Sequence, residues 1–286
     1  MPGAREAATF RPVSPPGTPT PPPAEAEQQE ITRLCVSTGL VLMQHGAESA
    51  LIETLMRRLG IALGVDRVEA GIFANSIVLA TLCGNRSVTT VRRVEDRGIN
   101  MNAVTQVQRA VLDVEAGALD VAGYRARLAA AVPPPYARWI LALAIGLSCA
   151  AFARLARADL PGCAAVLAAS AVAMYARLRL ARLHFSPVVT FFFAAFAASS
   201  LAGLLAAPLR LGGWHAWPGS ATPSPVLASC VLFLVPGFPL INGVSDMVKG
   251  YTSIGLSRLA YATLLAAAAA AGILLSMALR SRWGLP

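Results

Sequence analysis

The chain has 286 residues, of which 56% are hydrophobic and only 14% charged, and its mean hydropathy is +0.59. Soluble domains carry about 25% charged residues, so these proportions exclude an ordinary cytosolic enzyme or a disordered scaffold and point to a membrane protein. The net charge of +9 is not a nucleic-acid footprint: residues 1–136 hold 13 Arg and 13 acids, whereas residues 137–286 hold 11 Lys or Arg against two acids, Asp159 and Asp246. The excess base flanks apolar segments, as membrane orientation signals do, and no nucleic-acid partner is expected.

Residues 1–24 are a Pro-rich lead-in, densest at 12–23, read as a disordered tail. It has no basic stretch followed by an apolar run, so no cleaved secretory signal is expected.

Residues 25–132 read as a soluble α/β domain. Ile31, Leu34, Cys35, Thr38 and Leu42 recur at helical spacing, and Leu51, Ile52, Leu55, Met56, Leu59, Ala62 and Leu63 form a second stripe. These predict two amphipathic helices turning at His45 and Gly46. Residues 67–73, 76–83 and 87–94 read as three strands, the last two joined at Gly84-Asn85-Arg86. Two helices follow, with Asn100 and Asp120 as their N-caps, so the predicted order is ααβββαα. Pro133-Pro134-Pro135 ends the last helix, and residues 133–136 read as a stiff hinge.

Residues 137–286 predict a bundle of five transmembrane helices, at 137–155, 160–178, 185–208, 225–248 and 256–279. Eight cations flank the spans on the side of the N-terminal domain (Arg125, Arg127, Arg138, Arg177, Arg179, Arg182, Lys249 and Arg258) and five on the other (Arg154, Arg157, Arg210, Arg280 and Arg282). This bias predicts a cytoplasmic α/β domain. Tyr136, Trp139, Trp214, Trp217 and Trp283 lie next to span ends, where aromatic rings anchor at headgroup level.

The fourth span carries Leu234-Val235-Pro236-Gly237-Phe238-Pro239-Leu240-Ile241-Asn242-Gly243. Pro236 and Pro239, with Gly237 between them, remove backbone donors inside an apolar stretch and predict a broken helix. In lipid such breaks are tolerated where they line a cavity, and they mark transporter sites. The N–H groups opening a half-helix attract a carboxylate, and Asn242 could add a hydrogen bond to it. Asp246 is an acid within a span, and Lys249, the only lysine, follows one turn later, where it could pair with it. Two readings stand open: a buried acid on a proton- or cation-coupled path, or a solvated pair ending the span at the headgroups.

Elsewhere the signals are weak. Glu48 and Glu53 share no helix face well, and Glu53 with Arg57 is expected to be a surface pair. The histidines are isolated. Cys35, Cys83, Cys149, Cys163 and Cys230 form no CxxC pair and read as buried thiols. No metalloprotease, phosphate-loop, nucleophile-elbow or dinucleotide motif occurs. Neither an enzyme nor a cofactor or metal site is expected.

Gly46-Ala47-Glu48-Ser49 before an amphipathic helix, Val91-Arg92-Arg93-Val94 leading to Gly98-Ile99-Asn100, and above all the Pro236–Gly243 element resemble the ThrE threonine/serine exporter family over residues 30–279. Full-length members have twice as many spans, so the chain is similar to the split, half-length type. That resemblance implies inner-membrane export of a small carboxylate-bearing metabolite, a succinate-type dicarboxylate or threonine/serine. It also implies a hetero-oligomer with a smaller membrane subunit similar to YjjB. On it, Pro236, Gly237, Pro239, Asn242 and Gly243 shape the substrate path, and Asp246 and Lys249 tune charge along it. A membrane-anchored sensor or assembly factor without transport activity is the alternative.

Overall fold

The amphipathic stripes of the N-terminal segment become two helices, α1 (Glu25–Gln44) and α2 (Ser49–Ala62), in a computed structural model that describes residues 25–95, 98–132, 136–211, 214–217 and 219–282. The Pro-rich tail, Pro133 to Pro135 of the hinge, and Trp283 lie outside the described residues. Contacts divide the chain into two compact units, one of Met1–Pro134 with Phe238–Leu259 and the other of Pro135–Gly237 with Ala260–Pro286.

In the first unit, Ile31, Leu34, Cys35, Thr38, Leu42, Ile52, Leu55, Met56 and Leu59 are all buried, as the 3.6-residue repeat requires. The helices turn through Gly46, whose φ of +88° suits a residue without Cβ. Three antiparallel strands follow in spatial order, β1 (Arg67–Phe73), β2 (Ser76–Cys83) and β3 (Arg86–Arg93). Central β2 alternates strictly, burying Ile77, Leu79, Thr81 and Cys83. Gln28 and Thr32 of α1 bind it through the Thr81 carbonyl (3.0 Å) and hydroxyl (2.6 Å).

Asn100 caps α3 (Met101–Glu115) by accepting from the Ala103 N–H at 3.2 Å, and Asp120 caps α4 (Val121–Ala130) by accepting from Gly123 at 2.8 Å. Tyr124 of α4 is fully buried, with its hydroxyl 2.6 Å from that of Thr38.

The second unit holds α5 (Arg138–Leu155), α6 (Leu160–Arg182), α7 (Pro187–Ala206) and α8 (Pro223–Cys230). A short ribbon, β4 (Leu209–Leu211) with β5 (Trp214–Trp217), lies between α7 and α8 and was not expected; Trp214 and Trp217 form the ends of β5. Alanines 153, 165, 169, 173, 198 and 202 are buried in one cluster. A methyl placed on Gly146 would meet the Leu167 carbonyl at 2.7 Å, so α5 and α6 approach closely through small residues, as membrane helices do.

After α8 comes a 3₁₀ turn (Leu232–Leu234), a break, then α9 (Gly237–Val248) and α10 (Thr252–Arg282). Among the described residues, four helices are long and apolar enough to cross a membrane: α5, α6, α7 and α10. The stretch Pro223–Leu234 with Gly237–Val248 is bent by 61° at the break and makes five if counted as one span. The chain is a membrane protein.

The break sits at Val235-Pro236. Val235 is extended (φ −68°, ψ 119°), as the ring of a following proline demands. Pro239 does not break anything. It lies in the first turn of α9, where a missing N–H costs no helical hydrogen bond. One proline ends a helix and the other is accommodated at the start of the next.

Candidate functional site

Helix α9 is amphipathic in an informative way. Asn242, Ser245, Asp246 and Lys249 recur at i, i+3, i+4 and i+7 and so share one face, while Phe238, Ile241, Val244 and Val248 are exposed apolar residues. The polar stripe is spent on the α1–α2 turn, within the first unit. Asn242 Nδ2 donates to the Gly46 carbonyl (2.8 Å) and Ser245 Oγ to Glu48 Oε2 (2.8 Å). Lys249 Nζ donates to Glu48 Oε1 (2.6 Å).

Asp246 is the centre of this docking. It is completely buried, and its carboxylate accepts from the Ser49 N–H (2.9 Å), the Ser49 hydroxyl (3.1 Å) and Arg258 Nη1 (2.6 Å). Ser49 opens α2, whose N-cap residue, Glu48, makes no side-chain cap. Asp246 therefore supplies a helix cap and a negative charge at the positive end of α2 from 197 residues away. Arg258 Nη2 also donates to the Ala47 carbonyl (3.0 Å), so one guanidinium joins α10 to both partners.

The turn between α9 and α10 makes this geometry possible. Gly250 (φ +90°) ends α9 with its N–H on the Met247 carbonyl (3.1 Å), and the Tyr251 N–H returns to Asp246 (2.8 Å). The Tyr251 hydroxyl donates to Glu53; burial, reinforced by the Glu53 carboxylate, pushes its pKa up to about 12, so it stays a donor at neutral pH. The two helices then pass at van der Waals distance. A Cβ on Gly255 would lie 2.8 Å from the Gly243 carbonyl and 2.9 Å from the Met247 nitrogen.

Of the residues singled out in the sequence, Asn242, Gly243, Asp246 and Lys249 meet in this hub. Pro236 is buried at the break and Gly237 opens α9 with no atom within 4 Å of where a Cβ would be. The proposed pairing of Asp246 with Lys249 is not made: Asp246 pairs with Arg258 and Lys249 with Glu48. The solvated reading of Asp246 fails on its burial. Glu53, expected to pair with Arg57, accepts instead from Tyr251. Sequence placed Glu48 and Ser49 only in the Gly46–Ser49 element and Arg258 only among the flanking cations, and gave none of them a partner in α9; the signal within reach was the polar stripe of α9, which called for a polar surface opposite. Among the described residues no group of His, Cys, Asp and Glu could hold a metal ion.

The sequence profile of the family described as "Putative threonine/serine exporter" matches residues 33–280. The chain belongs to the ThrE family. Within reach of this family match, the chain is 45% identical over 259 residues to "Probable succinate transporter subunit YjjP" of Escherichia coli (strain K12), covering 91% of this chain and 97% of that protein. It is 44% identical over 261 residues to the protein of the same description from Klebsiella aerogenes, with the same coverage. An "Uncharacterized protein" of Haemophilus influenzae is 47% identical over 132 residues, 46% of this chain and 44% of its own length. No solved structure matches the chain. The ThrE match encloses both the Gly46–Ser49 turn and the α9–α10 segment that docks on it.

The Glu48 carboxyl is held below its ordinary value of 4.5, chiefly by the hydrogen bond from Lys249, with Ser245 assisting. A carboxylate with a lowered folded pKa contributes stability that is present above its unfolded pKa and lost as pH falls through the folded one. The Tm gap between wild type and Glu48→Gln is therefore expected to narrow as pH is lowered below 4.5, and a gap that stays constant across that window would contradict the contact.

Proposed function

We propose that the chain is one subunit of an inner-membrane secondary exporter of a small carboxylate-bearing metabolite, working with a second, smaller membrane subunit similar to YjjB. The cargo is a succinate-type dicarboxylate, or threonine/serine. The observation that carries this reading is the break at Pro236 in an apolar stretch, followed by a helix whose far end holds a buried aspartate–arginine pair. A broken span with an ionisable residue beyond the break is how carriers build a polar path through lipid. The relatives described as succinate transporter subunits support the substrate class.

In this reading the first turn of α9 offers a carboxylate the N–H of Phe238, since Pro239 has none and that of Gly237 donates to the Val235 carbonyl (2.8 Å). Gly237 leaves room for the approach, and Pro236, Pro239, Asn242 and Gly243 shape the path. Asp246 and Lys249 act on it by fixing α9 to the N-terminal domain, so that a movement of α9 must open the hub or carry α2 along. The five-span count treats the bent pair as one crossing, and the cation bias supports a cytoplasmic side for the N-terminal domain, the hub and Arg258. The length of α10 agrees: 31 residues are about 46 Å long, and about 30 Å of hydrocarbon leaves roughly ten residues outside. The exposed apolar face of α9 is available to lipid or to the smaller subunit.

The test is efflux from cells loaded with succinate or with a threonine dipeptide, with the chain and a YjjB-like subunit expressed singly and together. Succinate is expected to leave only when both are present. If no carboxylate leaves faster than from cells lacking the chain, it is not an exporter subunit, and the sensor or assembly reading replaces this one.

A further inference from the structure

The second unit contains one acid, Asp159, among its described residues. Its carboxylate is fully engaged by hydroxyls of Ser220 (2.6 Å) and Thr222 (3.1 Å) and by N–H groups of Gly162 (3.0 Å) and Ala221 (2.8 Å). Two cations of the same unit have other partners. Arg154 donates to the Ala158 carbonyl (3.0 Å), and Arg177 lies over the Phe191 ring, 4.3 Å from its centroid.

Arg280 of α10 is different. Its guanidinium is laid across Gly203 of α7, where an added Cβ would fall 1.2 Å from Nη1, so the space it fills exists because residue 203 has no side chain. Nη1 reaches only the Ser199 carbonyl, at 3.5 Å, the outer limit of a hydrogen bond. Nε is buried and has no partner. One turn earlier Ser276 is buried too and accepts from Ser200 Oγ (2.8 Å), so the guanidinium ends a polar seam between α7 and α10 in otherwise apolar helices. A buried N–H on a fixed positive charge is costly when unpaired.

We propose that Arg280 is a carboxylate-binding residue of the export path, its Nε edge receiving the anion of the transported solute. The inference rests on the exporter reading and adds a site to it. A guanidinium edge presents parallel N–H donors that match the two oxygens of a carboxylate, and the described part of the unit supplies no free carboxylate. Gly203 holds the fork in place, and Ser199 and Ser200 line the seam. In the proposed topology the C-terminal ends of α7 and α10 lie on the exit side, so Arg280 would hold the solute before release.

The test is succinate efflux by the co-expressed pair, with KM and maximal rate measured separately and membrane insertion quantified. Arg280→Gln is expected to raise KM roughly tenfold or more. Arg280→Lys keeps the charge without the fork and should fall between it and wild type. Gly203→Ala displaces the guanidinium with its charge intact and should also raise KM. As a second measurement, succinate is added to the purified pair in a phosphate-free maltoside detergent, where no lipid phosphate competes. A rise in thermal stability in the wild type that is lost in Gly203→Ala supports the site, and this holds even if Arg280→Gln fails to insert. Wild-type KM in Arg280→Gln, or an undiminished succinate shift in Gly203→Ala, overturns the role of Arg280 while leaving the exporter reading intact. Absence of efflux in the wild type overturns that reading and this one together.

Discussion

Replacing Asp246 with Ala is expected to destabilise the chain by about 3–5 kcal/mol, because it leaves the Arg258 guanidinium half of a buried ion pair without its partner. Arg258 is only 16% exposed and Asp246 not at all, so water cannot take over for the missing carboxylate without opening the hub. The loss reaches further than the pair. The Ser49 N–H at the start of α2 loses its side-chain acceptor, and Glu48 cannot replace it while it holds Ser245 and Lys249. Thermal unfolding of the purified chain in detergent measures the effect. The decisive comparison is Asp246→Ala with Arg258→Met: removing both charges should restore a substantial part of the lost stability. If the double variant is as unstable as the sum of the single ones, the two side chains are not coupled and the hub has been misread. Under the proposed function, Asp246→Ala also abolishes efflux, and limited proteolysis should cut near the α1–α2 turn once α9 no longer covers it.

Gly255→Ala is expected to cost about 1–3 kcal/mol through overpacking, although alanine is the better helix former. The added methyl would meet the Gly243 carbonyl at 2.8 Å and the Met247 nitrogen at 2.9 Å, both main-chain atoms of α9, and Met247 Cγ at 2.6 Å. A flexible side chain could swing aside, but a helix backbone must move as a whole, and moving α9 stretches the hydrogen bonds of Asn242, Ser245, Asp246 and Lys249 together. Gly243→Ala meets Leu259 Cγ at 2.8 Å and the Gly255 carbonyl at 3.1 Å and should cost less, because Leu259 can adjust. Gly237→Ala supplies the contrast. Nothing lies within 4 Å of its Cβ position and its φ is not left-handed, so it should be neutral or stabilise by up to about 1 kcal/mol. A Tm for Gly255→Ala equal to that of Gly237→Ala would show that α9 and α10 are not in close contact.

Much of the fold was legible because it is locally encoded. The stripes of α1 and α2, the strict alternation of β2, and the caps at Asn100 and Asp120 each express a repeat or a side-chain-to-backbone bond spanning a few residues. The β4–β5 ribbon is not legible in the sequence because strands of three and four residues carry too short an alternation. The break at Pro236 was visible for a similar reason, since a missing N–H and a restricted neighbour are properties of the dipeptide. The assignment of Pro239 to the same break failed, because a proline disrupts a helix only where the helix already has a preceding turn.

Sequence alone therefore determined that this chain enters a membrane, that its fourth apolar stretch is interrupted, and that an acid lies beyond the interruption: hydropathy, proline and charge are properties of residues themselves. Tertiary structure decided what the acid does. Spacing offered Lys249, one turn away, but the side chain is claimed by Ser49 and by Arg258, because the positive end of a helix and a guanidinium together satisfy a desolvated carboxylate better than a lysine that remains 43% exposed and has Glu48 to hand. Such a choice depends on which backbone ends and charges are left unsatisfied when α2, α9 and α10 come together, and no local pattern records that.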